Sequence, residues 1–274
     1  MGGLDISGPK RLGSTVVLGY HDIGAAGIRV LEGMSGASQT AGEGASSGLR
    51  ETGRETLTFS GMGAVFEGLP ALEAVHFDRQ GGSGDEADEP CVTLLKLNTV
   101  VGQDLSASLA SSFIDLLIAR RLTLDRLIVA AAVQPPKRHQ IPAAAAAIPP
   151  DVVCTFSCGG RRGGTVENKS SPPLASVSGL KQLPTGARIA DSFLMTMVGL
   201  CRLEELPLTV LARVGYRTTG AAAELDGTDE AIKDLGQCLA KVVGLEFDSK
   251  KACGARISKG WKGRPSVQVV PGYI

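Results

Sequence analysis

Three histidines and six cysteines are the side chains in this 274-residue sequence that are best suited to acid–base, nucleophilic or metal chemistry. His21, His76 and His139 lie in three separate segments, with no His-x-His or His-x-x-x-His spacing among them. Cys154 and Cys158 are separated by three residues, whereas redox pairs and zinc knuckles use two. We therefore predict that the chain holds no metal and no cofactor.

The serine- and glycine-rich stretches also fall short of catalytic motifs. The run Gly33-Met34-Ser35-Gly36-Ala37 follows the nucleophile-elbow pattern only until its last position. We therefore predict no catalytic site. The alternative is an α/β hydrolase or a nucleoside-processing enzyme, with Ser35 or Cys158 as the nucleophile and His21 or His139 as the base.

The C-terminal end carries a different kind of chemistry. No acidic residue follows Asp248, and the sequence closes with Val270-Pro271-Gly272-Tyr273-Ile274. The Tyr273 ring therefore stands beside a terminal carboxylate, a pair that can insert into a pocket with apolar walls and a lysine. A tail that ends in Tyr-Ile by accident is the alternative. Six cations accompany this end: Lys250, Lys251, Arg256, Lys259, Lys262 and Arg264.

Composition narrows the class of protein. The 28 Lys and Arg residues balance 28 Asp and Glu residues, and a net charge of zero argues against a dedicated nucleic-acid binder. A nucleic-acid adaptor that works through Arg161, Arg162 and the basic end is a further alternative. No run of about 18 apolar residues is present, so we expect no membrane contact. The N-terminus lacks a secretory signal, so we expect a cytoplasmic or nuclear protein with free thiols.

Hydrophobic patterns place the elements that would position these groups. Apolar runs predict strands at 14–19, 92–97, 124–133 and 207–214, and helical spacing predicts helices from Asp104, over 189–203 and after an N-cap at Thr228. The alternation of strands and helices predicts an α/β fold with a mainly parallel sheet flanked by helices.

We expect a single α/β domain over 1–274, with mobile insertions near 33–54, 79–90 and 134–186 and a basic C-terminal tail over 249–274. Between the first two insertions, the pattern predicts a strand at 56–59 and a short helix near 69–75. The helix at 189–203 is apolar around most of its circumference. It should therefore be buried on more than one side, between the sheet and either another layer or a partner subunit.

The second half of the sequence resembles the proteasome assembly chaperones. The resemblance is carried by Leu183-Pro184-Thr185-Gly186-Ala187-Arg188-Ile189-Ala190-Asp191, by Phe193-Leu194 and Cys201, and by Leu206-Pro207-Leu208-Thr209-Val210-Leu211. It continues through Tyr216-Arg217-Thr218 and 226–235, and the strand 127–133 also matches. It covers about half of the chain.

The resemblance implies a non-enzymatic chaperone with an α/β fold that pairs with a related chaperone subunit as a heterodimer. It also implies that the chaperone binds proteasome alpha subunits and promotes assembly of the 20S alpha ring. Family members end in hydrophobic-Tyr-any, a tail that docks between alpha subunits. Tyr273 and Ile274 match the last two places, Gly272 stands where the family has a hydrophobic residue, and Val270 lies two residues before it.

Overall fold

The computed structural model describes residues 5–6, 12–36, 48–60, 70–79, 90–98, 103–119, 124–133, 148–159, 180–184, 187, 189, 191–215 and 226–254. The strands are β1 (Asp5–Ile6), β2 (Thr15–Gly19), β3 (Met34–Ser35), β4 (Leu49–Ser60), β5 (Pro70–Arg79), β6 (Val92–Leu97), β7 (Arg126–Val133), β8 (Cys154–Cys158), β9 (Lys181–Gln182), β10 (Leu208–Val214) and β11 (Glu246–Phe247). The helices are α1 (Ala26–Glu32), α2 (Gln103–Ile118), α3 (Ser192–Leu203), α4 (Asp226–Val243) and α5 (Ser249–Gly254), and a 3-10 turn covers Ile23–Ala25.

Within the described ranges, nine strands form one sheet in the order β1-β4-β5-β6-β2-β7-β10-β8-β9. The four central strands, β6, β2, β7 and β10, pair in parallel, and the antiparallel strands β4, β5 and β8 extend the sheet on both sides. The predicted α/β class with a parallel core and flanking helices is confirmed. Among the antiparallel additions, the strand predicted at 56–59 is confirmed as part of β4. Strand β5 was not predicted, and β8 lies in a stretch that we expected to be an insertion.

Helices cover both faces of the sheet. Along β7, Leu127, Val129, Ala131 and Val133 pack with α2 and α3, whereas Ile128, Ala130 and Ala132 pack with α1, α4 and α5. A strand covered on both faces must be apolar at every position, which explains its unbroken hydrophobic run. None of the described helices combines the length and the apolar character needed to cross a membrane.

The predicted elements of the parallel core are found close to their expected places. The strand predicted at 92–97 is confirmed without change as β6, and the helix predicted over 189–203 begins at Ser192, after an N-cap by Asp191. Two helix starts shift, since α2 begins at Gln103 and α4 at Asp226, before the predicted cap Thr228. All six cysteines lie in described residues, and none of them forms a disulfide.

The helix predicted near 69–75 is wrong, because these residues belong to β5. Both faces of this strand are covered, since Leu72 and Ala74 lie in one core cluster and Val75 and Phe77 in the other, so it loses the alternation that marks a strand. Its partner β4 begins inside the insertion expected near 33–54, which also contains β3. The insertion expected over 134–186 contains β8 and β9. Residues 37–47, 80–89, 134–147 and 160–179 lie outside the described residues.

Two glycines let α1 lie directly on the sheet. A Cβ at Gly19 would stand 2.5 Å from the carbonyl oxygen of Gly27, and a Cβ at Gly27 would stand 2.6 Å from that of Ala130. Because backbone atoms cannot retreat as side chains do, neither position has room for a methyl group. Gly27, a residue type that disfavours helix by propensity, is therefore required here by packing.

We predict opposite effects for two glycine-to-alanine substitutions within helices. Gly27→Ala should destabilise the fold by about 2 kcal/mol, since the methyl group overpacks against β7. Gly199→Ala, in α3, should stabilise it by about 0.5–1 kcal/mol, since a Cβ there meets no atom within 4 Å and alanine favours helix. Denaturant unfolding of both variants measures the two changes, and a Gly27→Ala variant as stable as the natural chain would contradict the close approach of α1.

Candidate protein-interaction face

The four residues that the sequence singles out for binding, Val270, Gly272, Tyr273 and Ile274, lie outside the described residues. The last described residue is Gly254, at the end of α5. The tail prediction therefore stays a prediction. The described part of the chain contributes a different surface, on the layer formed by α2 and α3.

Helix α3 exposes an apolar stripe that the sequence did not single out. Met195 is 47% exposed and Leu203 is 78% exposed, and within the described residues they are the exposed large hydrophobic side chains. Together with the exposed Gly199 they occupy positions i, i+4 and i+8, so they follow one side of the helix. Phe193, Leu194, Met197, Val198 and Cys201 face the core instead.

The outward side of α2 is small and nearly uncharged. Its exposed residues in the described part are Ala107, Ser108, Ser111 and Asp115, and the exposed Ala119 follows directly after the helix. A helix that faces only water usually carries several Lys, Arg or Glu side chains on that side. We call these five residues together with Met195, Gly199 and Leu203 the α2–α3 face. Low charge and an exposed methionine are features that this face shares with interface cores, whereas alanine and serine are not enriched in such cores.

Near the C-terminal end of α3, the positive charge beside this face is engaged by neighbours. The Arg202 guanidinium lies 5.1 Å from the centre of the Phe156 ring, a cation–π contact between α3 and β8. Arg202 also lowers the pKa of the neighbouring Cys158 thiol, but burial, the larger effect, raises that pKa overall.

At the carboxyl ends of β2 and β7, the edge where α/β proteins bind ligands, two aspartates form hydrogen bonds within the protein. Asp22 follows β2, and its carboxylate accepts hydrogen bonds from the Ala132 N–H, at 2.5 Å, and from the Gly27 N–H, at 3.1 Å. Asp191 accepts from the Tyr20 hydroxyl at 2.7 Å through one oxygen and from the Leu194 N–H at 2.8 Å through the other. Both carboxylates therefore serve to join elements of the fold.

Burial dominates the electrostatics of this edge. It raises the pKa of Asp22 well above the usual carboxyl value, against the lowering effect of the two backbone N–H donors, and Asp191 adds a smaller increase. Burial also raises the pKa of Tyr20, and the nearby Asp191 and Asp22 raise it further. The Tyr20 ring contacts Phe193 with 5.0 Å between ring centres, so it is clamped between β2 and α3.

Among the described residues of the enzyme alternative, neither Cys158 nor Ser35 lies near His21. Cys158 pairs with Leu208 at the amino end of β10, whereas His21 follows the carboxyl end of β2. About five residues along the strands and three strand spacings separate them, which is on the order of 20 Å. Burial raises the pKa of Cys158, so the thiol is a weak nucleophile at neutral pH.

Ser35 lies in β3, where it pairs with Glu246 of β11, beyond the far end of α1 from His21. His139, Arg161 and Arg162 lie outside the described residues. Within the described ranges, no group of three or more His, Cys, Asp or Glu side chains is arranged to hold a metal ion.

No protein-family model matches the chain, and no curated protein matches it in sequence. Among solved structures it is similar to Pyrococcus furiosus PbaA, an archaeal homolog of proteasome-assembly chaperone, with 15% identity, a TM-score of 0.49, and coverage of 91% of this chain and 89% of that one. It is also similar to P. furiosus PbaB, an archaeal proteasome activator (13% identity, TM-score 0.48, 92% and 93% covered). Arabidopsis thaliana 5'-methylthioadenosine nucleosidase is another neighbour (13% identity, TM-score 0.40, 90% and 99% covered). The likeness concerns the course of the backbone, and nothing about activity follows from it.

The raised pKa of Asp22 leads to a pH prediction. The folded state binds the proton of the Asp22 carboxyl group more tightly than the unfolded chain does. Protonation of Asp22 therefore stabilises the fold below the ordinary carboxyl pKa of about 4, and this stabilisation is lost as the pH rises through the raised pKa of the folded state. The free energy of unfolding of the natural protein, relative to that of Asp22→Asn, should therefore fall as the pH increases from about 4. Parallel urea titrations of the two proteins measure this difference. A difference that is constant with pH, or that grows, would contradict the prediction.

Proposed function

We propose that this chain is a non-enzymatic chaperone that promotes assembly of the 20S proteasome alpha ring as a heterodimer with a related chaperone subunit. The observation that carries the proposal is the α2–α3 face, which exposes Met195 and Leu203 on a surface nearly free of charge. The resemblance of residues 183–235 to the proteasome assembly chaperones supports it, and among these proteins we equate the chain with proteasome assembly chaperone 1.

The α2–α3 face would be the contact with the related subunit. Full burial of a Leu or Met side chain stabilises a complex by about 1.5–3 kcal/mol. Most of the Leu203 side chain is exposed in the isolated chain, so a partner could bury it. Gly199, between the two apolar residues, would let a partner helix approach the α3 backbone closely, because nothing stands within 4 Å of its Cβ position. The low charge of α2 removes a desolvation cost that Lys or Glu side chains would impose.

The C-terminal tail would make the second contact, with proteasome alpha subunits. Tyr273 would enter a pocket between neighbouring alpha subunits, and the Ile274 carboxylate would pair with a cation beside it. Gly272 and Val270, which precede Tyr273, would lie beside the same pocket. The arrangement of Tyr20, Asp22 and Asp191 supports a binding role over a catalytic one, since their polar atoms bond within the fold. We place this activity in the cytoplasm or nucleus.

We predict that a charge on the α3 stripe breaks pairing with the related subunit. Met195→Glu and Leu203→Glu should each weaken heterodimer formation at least tenfold, because a carboxylate would be desolvated in an apolar contact. Co-expression followed by analytical ultracentrifugation measures the dimer fraction.

Gln237→Glu is the matched control, since it adds the same charge to an exposed position of α4 in the opposite layer. The control should pair normally, and all three variants should unfold within about 0.5 kcal/mol of the natural chain, because the altered side chains are exposed. Normal pairing of both α3 variants would remove this face from the mechanism.

We predict that deletion of residues 272–274 weakens binding to alpha rings without unfolding the domain. Loss of a buried aromatic anchor costs about 2 kcal/mol, or roughly thirtyfold in affinity. Titration of the full chain and of the truncated chain against alpha rings measures the change. Tyr273→Phe, which keeps the ring and the carboxylate, should bind within about threefold of the natural chain. Equal affinities of the full and truncated chains would exclude tail docking.

A further inference from the structure

Helix α5 is the last described element before the C-terminal tail, and a buried arginine holds it. Arg29 of α1 is 8% exposed, and its guanidinium bonds three groups. Nε donates to the carbonyl of Ala252 at 3.3 Å, and Nη2 donates to the carbonyl of Cys253 at 2.5 Å. The same Nη2 lies 2.9 Å from the carboxylate of Asp229 in α4. One side chain thus joins α1, α4 and α5.

The carbonyls that Arg29 binds are those at the C-terminal end of α5. The last carbonyls of a helix have no partner within the helix, and a cation there also meets the negative end of the helix dipole. The start of α5 is held separately: the Asp248 carboxylate accepts from the N–H groups of Lys250 and Lys251, and the Asp248 N–H donates to the carbonyl of Gly33. Ala252 is fully buried between these two attachments.

We propose that Arg29 is a positioning residue for the C-terminal tail. By clamping the last turn of α5 onto α1 and α4, it gives the segment that carries Tyr273 and Ile274 one defined starting point, on the layer opposite the α2–α3 face. The tail and that face can then engage two different polypeptides at once. This inference rests on the proposed function, because it assigns a role to the origin of a tail that docks.

A defined starting point matters because tail docking is the second step of a two-point attachment. Once the domain has bound, the tail finds its pocket at an effective concentration set by where the tail begins and how much chain is free. Release of α5 would add free chain and remove the fixed origin, and the gain from the second contact would fall. The effect of Arg29 must therefore vanish in a chain that has no docking residues.

The chain offers a matched control for the substitution of Arg29. Arg213 in β10 is also buried and also pairs with an aspartate of α4, Asp234, at 3.0 Å. Its other described bond is to the carbonyl of Val214, so it does not contact α5. Arg29→Met and Arg213→Met each remove a buried arginine that pairs with an aspartate of α4. Only the first of them should release α5.

The first measurement follows the clamp itself. Limited trypsin digestion of the folded full-length variants, read by mass spectrometry, reports cleavage after Lys250 and Lys251, which requires α5 to open locally. Arg29→Met should raise this rate about tenfold or more, Arg213→Met should leave it unchanged, and Arg29→Lys should give an intermediate rate because it keeps the charge but not the fork of donors. Equal rates in the natural chain and both Arg29 variants would overturn the clamp. If Arg29→Met does not fold, Arg29→Lys alone decides this point.

The second measurement is a cycle of alpha-ring affinities for the natural chain, Arg29→Met, the 272–274 deletion and the combination of both changes. Arg29→Met should weaken binding about 1.5- to 2-fold in the full chain, since at most six residues of α5 are added to the tail, and have no effect in the deleted chain. Equal loss in both chains would show a merely structural role and overturn the positioning role. If the deletion changes nothing, tail docking fails and the positioning role fails with it. If the deletion weakens binding but Arg29→Met does not, the positioning role alone fails.

Discussion

The junction between β2 and α1 is the constraint on which the rest of the structure depends. Gly19 and Gly27 bring helix and strand so close that a Cβ on either would overlap a backbone carbonyl. The backbone N–H groups trapped at this junction need acceptors, and the Asp22 carboxylate supplies them for Gly27 and Ala132. The two oxygens of the partly exposed Asp22 carboxylate are thereby used to hold this edge of the sheet and α1 together.

The two helical layers differ in where their charged side chains lie. One layer contains α1, α4 and α5, and the other contains α2 and α3. On the α1–α4 side, buried cations pair with acids: Lys96 lies 2.8 Å from Glu32 and 3.1 Å from Glu73, and Arg29 pairs with Asp229. Such buried pairs add little net stability, but breaking one leaves a charge without a partner, so each of them specifies geometry. The described helices of the α2–α3 side expose two charged side chains, Asp115 and Arg202. Under the proposed function, the second layer would contact the partner subunit and the first would position the tail.

The parallel core could be predicted from the sequence because its strands are covered on both faces and are therefore continuously apolar. This is clearest at 92–97 and 124–133, which correspond to β6 and β7. The antiparallel additions could not be predicted in the same way. Strand β5 has the composition of a short helix when it is read alone, and only pairing with β4 and β6 makes it a strand. Its partner β4 begins in a polar stretch whose strand character comes from that pairing.

The sequence alone determined the α/β class, the approximate positions of the core strands and helices, and the absence of any complete catalytic motif, because these depend on local patterns of residue type. It also showed that α3 carries apolar side chains around most of its circumference. Which of them face the core and which face outward was decided by tertiary structure, since the sheet and α2 cover Met197 and leave Met195 and Leu203 exposed. The roles of Asp22 and Arg29 likewise arise from long-range contacts, with Ala132 and with Ala252 and Cys253. No local pattern encodes these contacts, because their partners lie more than a hundred residues away in the chain.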